Sequence, residues 1–276
     1  MRISPLPKSL FSEILNLKKG KILLLGGPDT GKTYLLERLV NLLKRKVSLG
    51  VIDCDLGQSR VGPPTTIGWA KIGKSFKFGK NLRVRDFYFV GSLSPAGNIK
   101  RSLKGVKFIL KKIDPQINIL LIDTTGYIKG EEAVDFKIKK INLIKPDLII
   151  ALQKKKELED ILKNVKLKRL FIMRPYPKVK RKSFTERAKY RDNCFKRYFS
   201  SGEKFLFGKS IFKRLNRKDK DFIDKIVSLQ DKQGKDLALG KIIAEKEKDF
   251  LILTPLKKPK KIVRGVIGLC KWKLMP

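Results

Sequence analysis

Histidine is absent from the 276 residues, and only three cysteines occur, Cys54, Cys194 and Cys270, widely separated and without a CxxC pair. A zinc centre built from cysteine and histidine is therefore excluded, and so is a histidine general base. The odd number of cysteines, with no secretory signal in the polar stretch Met1–Leu10, implies a reducing, cytoplasmic setting. No uninterrupted apolar run reaches bilayer length, so no membrane partner is expected. Acidic residues are scarce: 26 Asp and Glu stand against 65 Lys and Arg, a net charge of +39. Such a field concentrates polyanions at the surface, which makes nucleic acid the first candidate partner. A lysine-rich thermophile surface would bring glutamate up with lysine, and here it does not. With 42% hydrophobic residues the chain is globular.

Apolar runs alternate with helical spacing from Lys21 to about Met173. Lys21–Leu25, Val47–Asp53, Ile117–Asp123, Asp147–Leu152 and Arg169–Met173 read as strands. Thr33–Leu43, Asn98–Lys112 and Glu131–Ile144 read as helices between them. This alternation predicts an α/β fold, a parallel P-loop-type sheet with helices on both faces. Asn81–Val90 reads as an extra strand. Arg174–Ser201 is basic, aromatic-laced and helical. Beyond it Phe222–Leu229, Leu237–Glu245, Phe250–Thr254 and Val263–Leu274 read as short strands. The expected organisation is a short segment 1–20, a P-loop domain 21–203 with a lid at 174–201, and a small β-rich domain 204–276.

Four motifs carry chemistry. Gly26–Thr33 matches G-x4-G-K-[ST] between a strand and a helix. Backbone amides of Gly27, Pro28's neighbours, Asp29, Thr30 and Gly31 can close on phosphates, Lys32 reaches the β- and γ-phosphates, and the Thr33 hydroxyl ligates Mg²⁺. Asp53 and Asp55 lie two apart at the end of a strand, so both point to one face. One can serve the metal while the other faces an incoming nucleophile; a helix-capping role is the alternative. Leu120–Asp123 is an apolar strand ending in Asp123, the Walker-B pattern for Mg²⁺. Thr124, Gly126 and Tyr127 continue it into a loop, and Tyr127 serves equally as a base-stacking surface or a core tyrosine. In Lys182–Arg191 the pair Arg187 and Arg191 shares one helix face. That helix is either a lid over the phosphates or a solvated basic face.

With these motifs in order, the chain resembles the polynucleotide 5′-hydroxyl kinases, a family that includes the RNA kinase of the pre-mRNA cleavage and polyadenylation machinery and kinases of pre-rRNA processing. The resemblance rests on Gly27-Pro28 in the P-loop, Asp55-Leu56-Gly57-Gln58, Phe89–Pro95, Asp123–Tyr127, Lys182-Ser183 with Arg187, Arg191 and Tyr198-Phe199, and the tail Leu237–Gly240 and Leu253–Pro255. It implies that Asp55 contacts the metal shell and prepares the 5′-hydroxyl. It implies that Arg187, with Lys182 and Arg191, clamps the transferring phosphate. Gln58, Thr124, Gly126 and Tyr127 then hold the terminal nucleotide. Lys182 stands where that family has arginine, and Tyr127 where it has tryptophan. Residues 1–20 stand in place of that family's large N-terminal β domain. The resemblance implies ATP and Mg²⁺ as cofactors and RNA or DNA 5′-hydroxyl ends as substrates. A non-catalytic ATP-binding scaffold and a P-loop ATPase switch are the alternatives.

Overall fold

The computed structural model describes residues 7–76, 84–166, 168–176, 179–212 and 221–273. In chain order the elements are α1 (Lys8–Asn16), β1 (Gly20–Gly26), α2 (Lys32–Leu43), β2 (Leu49–Cys54), β3 (Thr66–Ile72), β4 (Asp86–Phe89), α3 (Ile99–Leu110) and β5 (Ile119–Thr124). They continue with α4 (Glu131–Ile144), β6 (Leu148–Leu152), α5 (Glu159–Leu162), β7 (Leu170–Met173), α6 (Phe184–Phe199), β8 (Glu203–Gly208), β9 (Lys225–Gln230), β10 (Asp236–Glu245), β11 (Asp249–Thr254) and β12 (Arg264–Lys271). The architecture is α/β: a mostly parallel sheet flanked by helices, with a separate antiparallel sheet formed by the C-terminal strands.

The first sheet runs β4-β3-β2-β5-β1-β6-β7. Strand β1 lies between β5 and β6 and is parallel to both. Its residues Ile22, Leu23, Leu24 and Leu25 are fully buried, as a strand covered on both faces requires. Truncating one of them to alanine costs about 2–5 kcal/mol. Helix α2 packs on β1 and β5 through Leu35, Leu36, Leu39, Val40 and Leu43, one stripe at helical spacing. The chain leaves β1 toward β2 on one side and leaves the neighbouring β5 toward β6 on the other. A crevice at the carboxyl ends of the strands is the consequence.

Some elements were not read from the sequence. Strand β3 pairs antiparallel with β2 and is buried at six of seven positions, so no alternation of polar and apolar residues marks it. Helix α1 buries only Leu10 and Ile14, and β8 alternates too weakly to register. The strand expected at Asn81–Val90 is present as β4, and residues 81–83 of that span lie outside the described residues.

The chain divides into two compact units. One comprises Met1–Cys54, Gly68–Asp86 and Val106–Arg181; the other comprises Asp55–Ile67, Phe87–Gly105 and Lys182–Pro276. The second contains the sheet β12-β9-β10-β11-β8, every neighbouring pair antiparallel. Phe207, Phe212, Phe222, Phe250, Ile242 and Ile252 fill one core of this unit. A second core joins Phe89 to Phe195 and Phe199 of α6 and to Trp272. Helix α6 is fixed there by Trp272, whose indole Nε1 donates to Asp192 Oδ1 at 2.9 Å, and by Tyr198, whose hydroxyl accepts from Leu239 N at 2.9 Å. The Trp272 ring stacks on Phe199 at 5.4 Å.

Candidate active site

In the first unit the P-loop turns through two left-handed residues, Asp29 at φ 52° and Gly31 at φ 90°. Gly31 is also the N-cap of α2, and no side chain caps that end. The helix dipole favours negative charge at that end. A Cβ at Gly26 would lie 2.7 Å from Leu152 O and from Thr30 Oγ1, so only glycine lets this turn close. Lys32 is buried and its ammonium donates to Gly27 O at 2.6 Å; Thr30 Oγ1 donates to the same carbonyl at 3.0 Å. Amides, dipole and ammonium together suit a polyphosphate. Thr33 follows on the first turn of α2, half-buried.

Asp53 and Asp123 are both buried and sit opposite one another in the register of β2 and β5. Neighbouring strands lie about 4.8 Å apart, so the two carboxylates form a pair at the carboxyl end of the sheet. Asp123 Oδ1 accepts from the Thr124 amide at 2.8 Å, and Thr124 Oγ1 donates to Leu24 O of β1 at 2.8 Å. Among the described residues no three His, Cys, Asp or Glu side chains group as a metal centre. A hard divalent cation held by one or two carboxylates, a hydroxyl and phosphate oxygens fits this donor set. Gly126 touches the P-loop: a Cβ there would be 2.6 Å from Pro28 N and 2.7 Å from Pro28 Cα. Tyr127 is half-buried, hydrogen-bonded through its hydroxyl to Glu132 Oε2 and tilted against Phe136.

Beside the P-loop a cavity of about 280 Å³ is lined by Asp29, Lys154, Arg174, Pro175, Tyr176 and Val179. The Tyr176 ring meets Tyr34 of α2 edge-on at 4.7 Å, and the Arg38 guanidinium lies 5.9 Å from both ring centroids. Apart from Asp29, motif reading did not single out these residues.

Asp55, Gln58, Lys182, Arg187 and Arg191 fall in the second unit. Asp55 Oδ1 accepts from the amides of Gly57 and Gln58, each at 3.1 Å, which folds Asp55–Gln58 into an Asx turn. Gly57 is needed where it is, since a Cβ would stand 2.9 Å from Leu93 O. Gln58 Nε2 donates to Arg187 O at 3.3 Å, and the Tyr190 hydroxyl donates to Ser59 O at 2.8 Å. The turn carrying Asp55 is thereby stitched to the first half of α6. Gln58 Oε1 is buried with no hydrogen-bond partner among the described residues. Helix α6 opens with a capping box: Ser183 Oγ accepts from Glu186 N at 3.1 Å, and Glu186 Oε2 accepts from Ser183 N at 2.7 Å. Arg187 Nε donates to Lys182 O at 3.4 Å, and the Lys182 ammonium lies over the Tyr190 ring. Burial lowers the Arg191 guanidinium from its ordinary value, and neighbouring Arg187 adds to that push.

Sequence reading missed a buried charge cluster behind the first half-site. Lys137 and Lys140 of α4 are each 1% exposed. Burial pushes the Cys54 thiol up to about 11, with Lys140 and Lys137 opposing and Asp53 and Asp123 reinforcing. The thiol therefore sits among two lysines and two aspartates at the ends of β2 and β5. A signal did exist: both lysines occupy the helical stripe of Ala133, Phe136, Ile141 and Ile144.

Fold and phosphate loop define a P-loop protein of the α/β class. Residues 26–201 match the family model described as the P-loop of the mRNA cleavage and polyadenylation factor CLP1. The chain belongs to this family of polynucleotide 5′-hydroxyl-kinase relatives. It is 38% identical over 190 residues to the polyribonucleotide 5′-hydroxyl-kinase of Methanocaldococcus jannaschii, covering 68% of this chain and 52% of that protein. It is 36% identical over 200 residues to the enzyme of the same name from Pyrococcus horikoshii, covering 71% and 54%. The chain thus spans about half the length of the curated relatives it matches. The solved Clp1p–Pcf11p complex shares the fold, with a TM-score of 0.74 at 12% identity, over 95% of this chain and 78% of that one.

Proposed function

We propose that the chain is an ATP-dependent kinase that transfers the γ-phosphate to the 5′-hydroxyl end of RNA, with DNA ends as a second acceptor. The observation that carries this reading is the Gln58–Arg187 link, which joins the Asp55 turn to the basic helix within one unit. A hydrolytic switch has no need of an acceptor-facing carboxylate tied to an arginine-bearing helix. The likeness to polyribonucleotide 5′-hydroxyl-kinases supports the same reading.

In this mechanism the P-loop amides and Lys32 hold the β- and γ-phosphates. Thr33 with Asp53 and Asp123 would hold Mg²⁺, which supplies positive charge to the phosphate oxygens. Asp55, its Oδ1 engaged by two amides, orients the 5′-hydroxyl and takes its proton on the second oxygen. The 5′-oxygen bonds to the γ-phosphorus as the bond to the β,γ-bridging oxygen breaks, and ADP leaves. Lys32 and Arg187 stabilise the charge that spreads over the moving phosphoryl group. The base of ATP lies in the cavity between Arg174 and Tyr176.

Transfer of labelled γ-phosphate to 5′-hydroxyl RNA and DNA oligonucleotides tests this directly. Wild-type transfer is expected, with losses of about 10³-fold or more in Lys32→Ala, Asp55→Asn and Arg187→Ala. ATP hydrolysis without transfer would replace the kinase by an ATPase switch, and ATP binding with neither reaction would leave a scaffold.

A further inference from the structure

An ammonium buried in a protein is expensive unless oxygens surround it. Lys137 is such a group, and three of the oxygens its ammonium meets belong to one short loop. Its Nζ donates to Thr125 O at 2.5 Å and Thr124 Oγ1 at 3.1 Å, with Thr125 Oγ1 at 3.5 Å. Five residues earlier on the same helix, Glu132 bonds the Tyr127 hydroxyl. Helix α4 therefore grips the loop 123–127 at both ends. Between the two grips Gly126 rests on Pro28, and just past the second Ile128 lies against Gly27. The P-loop does not depend on this grip for its own shape, since Lys32 and Thr30 close it on Gly27 O.

We propose that Lys137 is a positioning residue: from inside the fold it sets loop 123–127 in the form that holds the terminal nucleotide of the acceptor. This rests on the kinase reading given above. The sequence of causes is physical. Lys137 Nζ fixes the Thr125 carbonyl and the Thr124 hydroxyl, and Thr124 in turn is fixed to β1 through Leu24 O. With that end pinned and Tyr127 tied to Glu132, the loop has one conformation. Remove the ammonium and Thr125 O is left buried without its donor. The loop must then shift to find water.

The test uses the full chain with Lys137→Met, which keeps length and removes charge and donors, and Lys137→Arg, which keeps both. Binding of a fluorescent 5′-hydroxyl RNA oligonucleotide and of ATP is measured separately, alongside KM and kcat for transfer. The expected result for Lys137→Met is a Kd and KM for the oligonucleotide raised about tenfold, with the ATP Kd within about twofold. Lys137→Arg should recover most of the loss. A lowered melting midpoint with both Kd values unchanged below it would reduce Lys137 to a core-stabilising charge and overturn the proposal. An equal loss of ATP and oligonucleotide binding would overturn it too. If Lys137→Met does not fold, Lys137→Gln carries the same comparison with one donor retained. Absence of transfer by the wild type would sink the kinase reading, while the binding measurements would still decide the role of Lys137.

Discussion

At the scale of single residues, the site depends on backbone approaches that leave no room for a side chain. Gly126 is the sharpest case, because the atoms a Cβ would meet are Pro28 N and Cα, which cannot rotate away. The methyl of Gly126→Ala presses on the Pro28 backbone and so deforms the P-loop itself. We expect ATP affinity to fall about tenfold or more. Gly73→Ala, with nothing within 4 Å of its new methyl, should change it less than about twofold. Isothermal titration of ATP on both variants checks this, and equal affinities would show that the loop yields freely. The phosphate loop was legible at this scale because its determinants are local: two glycines, a lysine and a threonine in eight consecutive residues. Lys137 and Lys140 were not. A lysine on a helix is ordinarily solvated, and the oxygens that meet the Lys137 ammonium come from a loop that only the tertiary fold brings against α4. Their place in the apolar stripe of α4 was the available hint.

At the scale of elements, the strands that carry Asp53 and Asp123 were visible as apolar runs, and each acid could be placed at a strand end. That the two would stand in register could not be read, because β2 and β5 are 64 residues apart at their closest ends and pairing order is a tertiary fact. Strand β3 was hidden by burial on both faces. Helix α6 was legible as a helix but not as to what it packs on. Its start is sharply defined, since Ser183 and Glu186 satisfy each other's backbone amides. Ser183→Ala removes one half of that box, a loss of about 1 kcal/mol. Amide exchange at Glu186 and Arg187 should then quicken about fivefold, with exchange in β10 unchanged. Exchange that stays slow at Arg187 would show that the Gln58 bond to its carbonyl, and not the cap, holds this end.

At the scale of the whole molecule, the net charge of +39 was evident from composition and sets how acceptors arrive. Binding of single-stranded RNA releases counterions in proportion to the phosphates neutralised, about 0.7 per contact. The logarithm of the association constant should fall with the logarithm of salt concentration with a slope of about −3 or steeper. ATP binding, a matter of fewer charges in a partly enclosed loop, should fall less steeply. A flat response for RNA would mean that the basic surface does not engage the strand.

Among the described residues, the seat of α6 is assembled from parts far apart in the gene. Phe195 and Phe199 lie against Trp272, and Asp192 waits for an indole encoded 80 codons later. On the ribosome the phosphate-binding half is complete in sequence long before that indole is made. Helix α6 therefore lacks one wall of its seat until the residues around Trp272 leave the exit tunnel. The P-loop unit is thus complete in sequence before the seat of the arginine-bearing helix is, so translation itself sets the order in which the two units mature.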